Sequence, residues 1–265
     1  MAILETQELT RRFGHLTAVD ALTISIASGE IFGLLGPNGA GKSTVIKMLT
    51  TLLPLTAGRA KVAGFDVMYQ ATDVRRAIGY VPQVLSADGT LSGYENLLIF
   101  AKLYDIPRRE RESRVRDSLE FMGLTNAATR LVRNYSGGMI RRLEIAQSML
   151  HRPYVLFLDE PTVGLDPLAR KMVWQLIQQL CADYGTTIFL TTHFMEEADN
   201  LCHRLAIMHQ GRVAAIGNPA ELKASIGSSN ATLDDVFIHY TGDKLESGGN
   251  YRETSRARRT ARRLG

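Results

Sequence analysis

A chain of 265 residues, 45% of them apolar and 22% charged, is long enough for one large domain around a substantial core and has an ordinary globular composition. No apolar run approaches the ~18 residues of a membrane span, and Met1-Ala2-Ile3-Leu4-Glu5 has no basic leader or apolar h-region, so secretion is not expected. Cys181 and Cys202 are too far apart to suggest a disulfide framework, and Cys202-His203 is too sparse for a zinc site, both reading as plain helix residues. The formal net charge of +4 collects in residues 243–265, with seven basic and three acidic side chains, leaving 24 of each sign in residues 1–242. The body therefore lacks the basic footprint of a nucleic-acid-binding domain, and no nucleic-acid partner is expected.

Alternating apolar residues at Ile3–Thr6 and Leu22–Ile26 predict strands of a half-exposed antiparallel sheet. Ile31–Leu35 is continuously apolar, as a strand buried on both faces should be. A glycine-rich turn and a helix from Lys42 to about Thr51 follow. Residues 90–150 carry three helical patterns and no strand. Ser92 and Glu95 form a capping box, a second helix runs from about Arg108 to Met122 and stops at Gly123, and a third starts after Ser136-Gly137-Gly138. The mixed charges from Arg108 to Asp117 read as a solvated helix face. Tyr154–Leu158 and Thr187–Thr191 are further buried strands, separated by a helix from Leu168 to about Cys181. Strands alternating with helices predict an α/β fold with a parallel sheet and crossovers, an antiparallel β subdomain and a helical insertion at about 84–150.

Gly36-Pro37-Asn38-Gly39-Ala40-Gly41-Lys42-Ser43, followed by Thr44, fits GxxxxGK[ST] between a buried strand and a helix. Glycines let successive backbone N–H groups approach phosphate oxygens without a Cβ in the way. Lys42 supplies charge to the outer phosphates, Ser43 a hydroxyl for Mg²⁺, and the helix N-terminus its partial positive charge. The core is thus a P-loop NTPase of RecA-like type, with ATP and Mg²⁺ as expected ligands. Downstream, Tyr154–Leu158 ends in Asp159-Glu160. Consecutive strand residues point to opposite sides, so two roles are expected: Asp159 as a direct or second-shell Mg²⁺ partner, and Glu160 as the general base on a water in line with the γ-phosphate.

Ser136-Gly137-Gly138 is a second glycine-rich anion nest at a helix N-terminus. One nucleotide does not need two nests from one chain; two copies head to tail, each nest closing over the other's ATP, is the simple arrangement. Here the sequence resembles the ATP-binding cassette (ABC) family, whose LSGGQ signature precedes the acid strand in the same order. The resemblance implies that Gln83 touches Mg²⁺ or the attacking water, Asp166 belongs to the D-loop, His193 contacts the γ-phosphate, and Phe13 stacks on adenine where the family usually has tyrosine. It covers about residues 3–225. The signature departs at Tyr135 and Met139, which predicts altered ATP affinity or turnover rather than inactivity. His15, His151, His203, His209 and His239 lack ligand spacing and are expected on the surface.

The resemblance also implies a domain at 1–225 and a short segment at 226–242, and the composition of residues 243–265 predicts a disordered basic tail. It implies a second ATPase subunit (a homodimer), an integral-membrane permease partner and a place on the cytoplasmic face of the membrane. Tyr135–Met139, Thr191–Ala198 and Leu233–Gly242 are similar to the daunorubicin-resistance type of ATPase subunit, which pairs with ABC-2 type exporters of drugs, antibiotics, lipids or glycans. A soluble ABC protein acting as an ATP-dependent dimerisation switch, and the ATPase of an importer, are the competing readings.

Overall fold

The computed structural model describes residues 2–227 and 231–242. Strands β1 (Ala2–Phe13), β2 (Leu16–Leu22), β3 (Ser25–Ala27) and β4 (Ile31–Leu35) come first, then helix α1 (Lys42–Leu49) and strands β5 (Ala57–Val62) and β6 (Phe65–Asp66). The long β1 is the hub of an antiparallel sheet, pairing with β2, β3 and β5, with β6 beyond β5. The expected single strand Leu22–Ile26 is divided: β2 ends at Leu22 and β3 begins at Ser25. Thr6 makes the division. Its buried hydroxyl donates to the Leu22 carbonyl and accepts from the Ile24 amide, both at 2.9 Å, replacing the ladder where β1 passes from one partner to the next.

The chain continues through α2 (Ala71–Ala77), β7 (Ile78–Val81), α3 (Gly93–Leu103), α4 (Arg108–Phe121), α5 (Gly137–Met149) and β8 (Val155–Asp159). It then forms α6 (Pro167–Tyr184), β9 (Thr187–Thr192), α7 (Met195–Leu201), β10 (Arg204–His209), β11 (Arg212–Gly217), α8 (Pro219–Ser225) and α9 (Leu233–Thr241). A six-stranded sheet runs β11-β10-β4-β9-β8-β7, parallel except for the β10–β11 hairpin. Its central strands are buried on both faces, so alternate residues feed two cores. Ile31, Leu156, Ile188 and Leu205 pack toward α3–α7; Phe32, Phe157, Phe189 and Ala206 pack toward α1 and the antiparallel sheet. Phe189 stands between Phe32 and Phe157, with ring centroids 5.9 and 5.5 Å away. This α/β architecture, with its antiparallel sheet and helical insertion, is the one the sequence predicts.

The insertion follows its local chemistry. Ser92 and Glu95 exchange both capping-box hydrogen bonds, and α4 stops before Gly123 at φ +63°. Tyr135 is buried, its hydroxyl donating 2.7 Å to the Ala127 carbonyl, so this departure from the signature is a packing feature. Two expectations need correction. His151 is half-buried rather than on the surface, its ring stacked 3.9 Å from Tyr104 and its Nε2 2.9 Å from the Ile78 carbonyl; His209 is half-buried too. Cys202 lies just past α7 at its C-cap and His203 between α7 and β10, so neither is within a helix. The basic tail lies outside the described residues.

Candidate functional site

Strand β4 delivers residues 36–41 to the N-terminus of α1. The loop threads a narrow space: at Gly41, φ is +104° and a Cβ would fall 2.3 Å from the Ala18 carbonyl oxygen, so only glycine is accommodated. Such a cradle of backbone N–H groups suits phosphate oxygens. Asn38 and Gly39 are exposed, Pro37, Ser43 and Thr44 half-buried, and Gly36, Ala40 and Lys42 buried. The Lys42 ammonium donates to the carbonyls of Gly36 (2.7 Å) and Pro37 (3.1 Å) and lies 3.2 Å from Glu160 Oε1. Burial pushes its pKa down, against the opposing pull of Glu160. Ser43 Oγ donates to Asp159 Oδ1 at 3.0 Å, and Thr191 Oγ1 donates to the same oxygen at 2.6 Å. A hydroxyl beside a carboxylate is the hard-oxygen donor set that Mg²⁺ takes.

Glu160 is the centre of the site. Strand alternation does not separate it from Asp159 as expected, because β8 ends at Asp159 and Glu160 adopts a left-handed φ of +49°. That conformation costs a non-glycine residue about 1 kcal/mol or more. It is held by the Glu160 amide, which donates to both the carbonyl and the hydroxyl of Thr191 at 3.1 Å. The carboxylate meets Lys42, accepts from Gln83 Nε2 at 3.2 Å, and lies 3.1 Å from His193 Nδ1. Burial pushes the carboxyl up, but the His193 hydrogen bond and the Lys42 charge outweigh it, so Glu160 titrates below the usual carboxylate range. Lys42, Ser43, Gln83, Asp159, Glu160 and His193 are thus brought together, from strands far apart in sequence.

The second nest stands apart, its contacts running to the start of α6. A Cβ on Gly138 would lie 2.7 Å from the Ala169 Cβ, and one on Gly137 3.4 Å from Leu165. Ser136 caps α5, accepting from the Met139 amide at 3.3 Å; Asp166 caps α6, accepting from the Ala169 amide at 2.9 Å. Ser136, Gly137 and Asp166 are exposed on this edge. Phe13 ends β1 with 44% of its surface exposed, and the Arg11 guanidinium sits 4.5 Å from its ring centroid.

Several participants escape sequence reasoning. Thr191 donates to the Asp159 carboxylate and accepts from the Glu160 amide. Glu197 is fully buried and accepts from Thr162 (2.7 Å) and Trp174 (2.9 Å), tying the turn after Glu160 to the helix after His193. Glu197 stands four residues after His193 within Thr191–Ala198, but nothing in the sequence shows its burial.

A family model described as ABC transporter matches residues 19–163. The chain belongs to the ABC transporter family. It is 45% identical to the daunorubicin/doxorubicin resistance ATP-binding protein DrrA of Streptomyces peucetius, over 85% of this chain and 68% of that one. It is 44% identical to the Nod factor export ATP-binding protein I of Burkholderia thailandensis, over 84% and 73%. Among solved structures, an ATP-binding subunit of an ABC transporter superposes with a TM-score of 0.80 at 28% identity, covering 90% of this chain and 99% of that one. As an ABC protein the chain binds ATP and is an ATPase coupled to transport. None of its described helices is long and apolar enough to cross a membrane, and membership of the family implies a membrane permease beside it.

Proposed function

We propose that the chain is the ATP-hydrolysing subunit of an ABC exporter, with Glu160 as general base. The observation that carries this reading is the convergence of Lys42, Gln83 and His193 on the Glu160 carboxylate. ATP phosphates would lie on the N–H groups of residues 38–44 and draw the Lys42 ammonium off Glu160 toward the β- and γ-phosphates, with Phe13 against the adenine. The freed carboxylate, still held by the Thr191–Glu160 backbone contacts, then faces a water. Water oxygen attacks the γ-phosphorus, its proton passes to Glu160, and the electron pair of the breaking P–O bond leaves on the β-phosphate of ADP. His193 and Gln83 orient the γ-phosphate and the water. Ser43 and Asp159, with Gln83, would hold Mg²⁺, which neutralises charge on the phosphate oxygens.

The nest at Ser136-Gly137-Gly138, open to water at Ser136 and Gly137 and close in the chain fold to exposed Asp166, suits the γ-phosphate of an ATP bound to a second copy, giving a homodimer with ATP between the chains. Closure of the pair would drive an integral-membrane permease from the cytoplasmic face. Relatives named for daunorubicin resistance and for Nod factor export favour export, toward drug, antibiotic, lipid or glycan cargo. Glu160→Gln keeps the shape and removes the base. Its ATP turnover should fall about 10²-fold or more while ATP binding survives. Near-parental turnover in a phosphate-release assay would remove Glu160 from its role.

A further inference from the structure

The largest fully buried side chain among the described residues is a cation, Arg141, 1% exposed on α5. Its guanidinium donates to the carbonyls of Pro82 and Gln83, both at 2.7 Å, and pairs with Glu144 at 3.1 Å. Glu144, 2% exposed, accepts in turn from the amide and the hydroxyl of Ser86. Two side chains one helical turn apart thus grip both ends of the segment 82–86. That segment is itself open to water: Gln83, Val84, Leu85 and Ser86 are exposed, Val84 by 77%. The pair satisfies the Pro82 and Gln83 carbonyls and the Ser86 amide, groups that water would serve as well in an exposed loop, and burying two charges is costly unless position matters.

Position matters at both ends of this connection. Gln83 reaches Glu160 in one site, and the helix that grips its backbone begins at Ser136-Gly137-Gly138 on another edge. We propose that Arg141 and Glu144 are positioning residues that make the Gln83 segment and α5 one rigid body, so that ATP at Lys42 of one copy sets the nest presented to the ATP of the other. This rests on the paired-chain reading above. The Gly36–Ser43 cradle does not touch the clamp, so a nucleotide lacking the γ-phosphate should bind a clamp variant normally. Pairing driven by ATP should suffer.

The test uses full-length Glu160→Gln chain, with and without Arg141→Met plus Glu144→Leu. Removing both charges together leaves no unpaired buried ion. Light scattering during an ATP titration reads pairing, and fluorescence titration with ADP reads the cradle alone. The inference predicts that the clamp variant needs at least about tenfold more ATP to pair, with ADP affinity within about twofold. Pairing at unchanged ATP concentration overturns it, as does an equal loss of ADP affinity, which would mark a merely structural role. Failure of Glu160→Gln alone to pair would instead strike the paired-chain reading. Should the clamp variant not fold, hydrogen exchange on the parental chain decides: the Ser86 amide, which donates to buried Glu144, should exchange as slowly as those in the middle of α5, and loop-like exchange there refutes the rigid body.

Discussion

The ammonium of Lys42 and the carboxylate of Glu160 are both buried and face each other at 3.2 Å, so each offsets part of the other's cost of burial. Glu160 titrates below the ordinary carboxylate value. Its charge therefore contributes stability that is fully present above the unfolded-state value and is lost as pH falls through the lower folded value. The stability difference between the parental chain and Glu160→Gln should accordingly be constant near neutrality and shrink in that acid window. Urea unfolding followed by emission of the single tryptophan, Trp174, checks it; a difference that grows on acidification would contradict the ion pair. Lys42, Ser43, Asp159 and Glu160 are legible from spacing alone, because a P-loop and a strand-end acid pair need particular residue types at fixed offsets. Thr191, Arg141 and Glu197 are not. Their importance comes from burial and from partners 23 to 59 residues away, which no local pattern encodes.

Strands β4, β8 and β9 are legible because burial on both faces makes them continuously apolar, and they carry the cradle, the acid pair and His193. The remaining strands are less visible for physical reasons. β7 has only four residues, one of them Gly79, and lies at the sheet edge; β5 shows Ala57-Gly58-Arg59-Ala60-Lys61-Val62, a half-exposed pattern with weak strand formers. Glu160 shows the opposite: the apolar strand pattern runs up to it, but the strand period ends at Asp159, where the next φ turns positive. The Phe32–Phe189–Phe157 stack under the catalytic strands should make β9 sensitive to truncation. Phe189→Ala is expected to cost about 3–5 kcal/mol by urea denaturation. A loss under about 1 kcal/mol would mean that the aromatic core is not what aligns β4, β8 and β9.

At the scale of the molecule, one sheet carries the cradle, the acid pair and His193, while the helical insertion carries the nest on a separate edge. If two chains pair as proposed, the nest of one copy would meet the ATP held at the Lys42 loop of the other. If closure works a transporter, a stoichiometric polytopic membrane protein should co-purify with the chain from detergent-solubilised membranes; recovery of the chain free of any membrane protein would favour a soluble switch. The most direct test of ATP shared between copies is the molar mass of Glu160→Gln by light scattering with and without MgATP. The account predicts a monomer that doubles its mass with ATP and returns to monomer when the nucleotide is removed. A mass unchanged by saturating ATP, with ATP demonstrably bound at the Lys42 loop, would contradict it.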